Sequence, residues 1–197
     1  MNPTSDIRGE HAAIKIILLA MKNLVYTIRV NNNSPDLFRI GQISDFLTIF
    51  TVHCHYEKEE KGLFAALIEQ DISWITKIIH HLIAEHNLAR GYCEELAGNI
   101  EKYLSGQYVT FLSISINLSD FVALEEQHMR KEDTIILPQC EKLLGISRLH
   151  SISTDFKIIQ DQQVGHAKHL EYYNLLNQLC SENKLINRLA NPQCTGI

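Results

Sequence analysis

Histidines and acids recur in this chain at spacings that suit a metal centre. His55-Tyr56-Glu57-Lys58-Glu59-Glu60 is matched by His128-Met129-Arg130-Lys131-Glu132-Asp133, so a His, a Lys, a Glu and a second acid hold the same places in both. The His and first Glu of each copy stand at i and i+4. On an α-helix that spacing puts an imidazole and a carboxylate on one face, one above the other. A further His, preceded by Glu, lies ahead of each copy: Glu10-His11 and Glu85-His86. His11 and His86 are offset by 75 positions and His55 and His128 by 73, the pattern of a duplicated helix pair facing its copy across a pseudo-twofold axis. Six donors, from His11, His55, Glu59, His86, His128 and Glu132, would then converge on one interior point.

A single His on an apolar helix face is ordinarily a hydrogen-bonded core residue. Two Glu at matched core positions are harder to explain that way, because a buried carboxylate is costly unless it is paired or bound to a cation. Lys58 and Lys131 are no help to the acids that follow them, since neighbours in sequence point about 100° apart on a helix. Imidazole and carboxylate donors together suit iron, manganese or zinc, and the lack of Cys in the set argues against a thiolate site. Six ligands are too many for one tetrahedral zinc. Two metals would use them evenly: His11 and His55 on one, His86 and His128 on the other, and Glu59 and Glu132 spanning both. Positions would remain for a bridging oxygen and an exogenous ligand. The ferritin-like alternative needs Glu-x-x-His twice, and only Glu125-x-x-His128 has that spacing.

The rest of the chain must supply helices to carry these residues. A first helix is expected over residues 5 to about 30, capped by Ser5 or Asp6, with Ile14, Ile17, Leu18 and Met21 on its apolar face. Asn31-Asn32-Asn33-Ser34-Pro35 is a turn. A second helix runs from near Asp36 to Leu67, and a third, capped by Asp71 or Ser73, loosens around Gly98 to Gly106. The fourth starts near Gln107 and is kinked or ended by Pro138. A last helix of about 25 residues starts near Thr154. The expectation is an all-α, antiparallel up-down four-helix bundle with an additional C-terminal helix. The bundle would occupy residues 1–180, leaving 181–197 as a short helix or tail.

Composition excludes other classes. A net charge of -5 and the absence of Lys/Arg clusters leave nothing to neutralise a run of phosphates, so nucleic acid is not an expected partner. Five scattered cysteines without a C-x-x-C pair read as reduced thiols. The run Ala12 to Ala20 is short and broken by Lys15, so neither a signal peptide nor a membrane span is expected. The expected location is the cytoplasm.

The chain resembles the hemerythrin-like (HHE cation-binding) family over about residues 8 to 180. The resemblance is carried by His55 to Phe64, by Ala84-Glu85-His86 through Arg90-Gly91, and by His128 to Asp133 through Leu137-Pro138. It is of a bacterial or archaeal type with four His and two Glu as ligands. It implies two iron ions (Fe2+/Fe3+), joined by an oxo or hydroxo bridge and bridged by both Glu. Oxygen carriers of the family have a fifth His one turn before the third-helix ligand, where this chain has Leu82. The resemblance therefore implies a cytoplasmic non-haem di-iron protein that binds or reduces a small oxidant, O2, NO or peroxide. The alternative is an iron or redox sensor that does not turn over.

Other residues are weighed against plainer roles. Glu10 and Glu85 are either acceptors for ligand imidazoles or solvated acids. Glu60 and Asp133 read as surface charges, His166 and His169 as exposed polar positions, and Tyr26, Tyr56 and Trp74 as core aromatics.

Overall fold

Asn2 starts the first helix, because its side-chain Oδ1 accepts the backbone N–H of Thr4 at 3.2 Å. Pro3 occupies the first helical position, where its missing N–H costs nothing. The cap thus falls a few residues ahead of the expected Ser5 or Asp6. A computed structural model describes residues 2–30, 36–107 and 111–182. Helix α1 is Pro3–Val30, α2 covers 37–68, α3 is Ser73–Leu104, α4 covers 111–143, α5 is Ile146–Gln163 and α6 is Gly165–Glu182. No strand occurs among the described residues. The turn expected at 31–35, the start of the fourth helix and residues 183–197 of the expected tail lie outside them.

Helices α1 to α4 form the expected antiparallel bundle, with α4 packed on both α1 and α3 and with α2 contacting α3. Asp36 caps α2 by accepting the Arg39 N–H at 3.2 Å. Neither Asp71 nor Ser73 caps α3: its N-cap is Ile72, with no side-chain bond. That helix continues through Gly98 to Leu104 and is closed by Gly106 at φ +77°, a conformation glycine adopts without strain.

Two further expectations about the helices are corrected. Pro138, expected to kink or end α4, does not end it. The turn before it is π-helical over Glu132–Ile136, with the Leu137 N–H reaching back to the Glu132 carbonyl. This wider turn absorbs the missing bond and the crowding that a proline ring imposes. The single long last helix is in fact two, broken at Gly165 with φ +65°. Its apolar periodicity continues across the break, which hid it.

The core lies in two apolar layers. One gathers Ile14, Leu18, Met21, Phe46, Phe50, Leu118 and Phe121; the other gathers Ile7, Leu63, Phe64, Ile79, Leu82 and Ile136. Between them, in sequence on every one of the four helices, fall the buried His and Glu. Helix α5 closes on α2 at Gly62, where an added Cβ would stand 2.6 Å from Phe156 Cε1.

Candidate metal centre

Each of the four bundle helices delivers its donors from mid-span. His11 comes from α1, His55 and Glu59 from α2, His86 from α3, and His128 and Glu132 from α4. All six are at most 1% exposed. Local widening helps to aim them. A π-helical segment, Phe46–His55, ends at His55, another starts at Glu59, and a third starts at Glu132. Such turns rotate the side chains around them relative to a regular helix.

The donors form two groups that share both carboxylates: His11, His55, Glu59 and Glu132, and Glu59, His86, His128 and Glu132. The pairing matches the one expected from pseudo-symmetry. Glu59 Oε1 lies 3.4 Å from His55 Nε2 and 3.7 Å from His11 Nε2, and its Oε2 lies 3.3 Å from His86 Nε2. Glu132 mirrors this, with Oε2 3.2 Å from His11 Nε2 and Oε1 3.1 Å from His128 Nε2. His86 Nε2 and His128 Nε2 are 2.9 Å apart.

The outer nitrogens are all held by acids. His55 Nδ1 pairs with Glu10 at 2.8 Å, His11 Nδ1 with Asp133 at 2.8 Å, His86 Nδ1 with Glu60 at 2.7 Å and His128 Nδ1 with Glu85 at 3.0 Å. Each acid also binds a cation: Glu10 with Lys58, Asp133 with Lys15, Glu60 with Arg90 and Glu85 with Lys131. Glu10 and Glu85 thus take the acceptor role. Glu60 and Asp133 do as well, which corrects their reading as surface charges. Their position next to Glu59 and Glu132 was the available signal, because it repeats the placing of Glu10 and Glu85 beside His11 and His86.

A carboxylate only accepts, so each imidazole keeps its proton on Nδ1 and turns the Nε2 lone pair inward. The inward atoms then have too few partners. His11 Nε2, His55 Nε2 and all four oxygens of Glu59 and Glu132 are buried without a hydrogen bond. Positive charge is what this interior asks for, and protons supply it where no metal does. Burial works to lower the His128 pKa, but Glu132 and Glu85 carry it well above the ordinary imidazole value. His11 is driven up in the same way by Asp133, Glu132 and Glu59. Glu132, although burial opposes its ionisation, is held well below the usual carboxylate range by His128 and His11. A bound cation would answer every one of these demands. Imidazole and carboxylate donors without thiolate fit a metal such as iron.

The remaining candidates are spread out. His166 is exposed and His169 half-buried; Tyr26 and Trp74 are 59% and 49% exposed, and so are not the core aromatics expected. None of them joins either donor group among the described residues. Tyr56 is fully buried and packs against three of the four imidazoles. Among the described residues no helix is long and apolar enough to cross a membrane.

A helical bundle with buried histidines and carboxylates facing one another across its centre defines a class of metal-binding proteins. Residues 2–140 match the family model described as hemerythrin HHE cation binding domain, and the chain belongs to that family. No curated protein and no solved structure matches the chain.

Proposed function

We propose that this protein holds two iron ions, one between His11 and His55 and the other between His86 and His128, with Glu59 and Glu132 shared by both. The function supported best is binding or reduction of a small oxidant, O2, NO or peroxide, in the cytoplasm. The observation that carries it is the set of inward nitrogens and carboxylate oxygens that are buried without partners. An iron pair supplies reversible one-electron steps at nearly constant ligand geometry.

The chain's own residues do the rest. Glu10, Asp133, Glu60 and Glu85 hold the imidazoles in the tautomer and orientation that present Nε2. Leu82, one turn before His86, stands where a further donor would reach the centre and is buried with Ile7, Leu63 and Ile136. These side chains would set an apolar wall beside a bound metal, excluding water and suiting a small, weakly polar ligand. Cys54, Cys93 and Cys140, buried as thiols, agree with a reducing compartment.

The test is metal analysis of the isolated protein, followed by iron reconstitution and stopped-flow mixing with peroxide, NO or O2. Iron at two per chain, with one half of the centre emptied by His-to-Ala change at any of the four positions, is the expected result. Steady consumption of oxidant marks an enzyme, whereas one reaction per centre with an altered protease pattern marks a sensor. A reconstituted protein without iron overturns both.

A further inference from the structure

Tyr56 follows His55 in the chain and is fully buried. Its ring stacks on that of His86, with centroids 3.8 Å apart and planes 11° from parallel. The rings of His55 and His128 stand 5.8 and 5.9 Å away. One phenol therefore borders imidazoles from both halves of the centre.

The hydroxyl donates to Glu125 Oε2 at 2.6 Å. Glu125 is 1% exposed, lies three residues before His128, and leaves its Oε1 without a partner. Packing explains none of this. A phenylalanine would fill the same volume, and a buried carboxylate is a costly way to satisfy one hydroxyl. The other side of the centre is lined differently: Ile7, Leu63, Leu82 and Ile136 each stand one helical turn from a donor and offer no proton.

We propose that Tyr56 is a one-electron donor to the centre, with Glu125 as its proton acceptor. This rests on the reading of a di-iron centre that reduces peroxide. Reduction of peroxide to two waters breaks the O–O bond and takes two electrons and two protons. With the centre one electron short of full reduction, a bound metal pair would supply one electron and Tyr56 the other, and the two protons would come from solvent. The Tyr56 O–H bond breaks, its proton moves to the Glu125 carboxylate, and its electron leaves through the stacked His86 ring. A neutral phenoxyl radical remains. The Arg90 guanidinium, 5.7 Å from the Tyr56 ring, makes removal of an electron harder, so Tyr56 yields it only to a strong oxidant such as peroxide.

The experiment uses the full chain loaded with iron, brought without oxygen to one electron short of full reduction, mixed with hydrogen peroxide and freeze-quenched for electron paramagnetic resonance. The expected result is a phenoxyl signal that narrows when tyrosine is supplied ring-deuterated. It disappears in Tyr56→Phe and weakens in Glu125→Gln, both with iron content and helical circular dichroism unchanged. A signal that persists in Tyr56→Phe, or iron-loaded protein that reacts with peroxide and shows none, overturns the inference and leaves the di-iron reading standing. Protein that binds no iron sinks that reading first and the inference with it. Should Tyr56→Phe not hold iron, Glu125→Gln decides, and an unchanged signal there overturns the role of the pair.

Discussion

The Glu10 carboxylate accepts from His55 Nδ1 at 2.8 Å, although its neighbour in the chain is His11, whose own Nδ1 is held by Asp133. Each acid beside one donor orients a donor on another helix. Replacing such an acid removes an orientation and a charge without touching the inward donor set. Glu10→Gln and Asp133→Asn should each weaken iron binding about 10–100-fold, read by chelator competition. Glu126→Gln, which breaks only the exposed pair with Lys22, should leave affinity as it was.

His86 and His128 bring their Nε2 atoms to 2.9 Å and serve the same half of the centre. Groups that act as one unit lose their effect non-additively. His86→Ala and His128→Ala should each empty that half, and the double variant should bind no less iron than either single one. Metal content per chain is the measurement, and additive losses would show that the two imidazoles act separately.

Stability without metal should peak in a narrow pH window. Glu132 is held below the ordinary carboxylate value of 4.5, so its contribution is complete above that pH and is lost as pH falls through the folded value. His11 and His128 are raised above the ordinary 6.5, so theirs is complete below 6.5 and is lost as pH rises through the folded values. Chemical denaturation of the apoprotein should therefore show most stability between about 4.5 and 6.5, with a decline on both sides. Metal needs deprotonated imidazoles, so the loaded protein should reach its maximum at higher pH.

Gly62 is where α5 meets the bundle, with Phe156 and Ile152 against its backbone. Gly62→Ala forces a methyl group into an occupied space, and overpacking of this kind costs about 1–3 kcal/mol. The denaturation midpoint should fall accordingly. Phe156 also lies 5.8 Å from Lys58 Nζ, the cation on Glu10, so iron affinity should fall with it.

The inward His and Glu were legible because residues that meet across helices leave a periodic trace. His-x-x-x-Glu at i and i+4, repeated with nearly equal offsets, survives any uncertainty about where helices begin. Glu60 and Asp133 were harder to read. Their side chains leave α2 and α4 about 100° from the donors before them, and only the positions of α3 and α1 show what they meet. The break at Gly165 and the wide turn before Pro138 were missed for a related reason. Each changes backbone direction or pitch while the apolar pattern along the helices carries on, so periodicity alone does not register them.

Taken in order, the four outer acid pairs join α1 to α2, α2 to α3, α3 to α4 and α4 back to α1. They form a closed hoop around the middle of the molecule. A hoop resists shear: sliding one helix by a single residue would strain two links at once, while severing one link still leaves every helix tied to a neighbour. Register among the helices is thus set at the waist, where the four links meet.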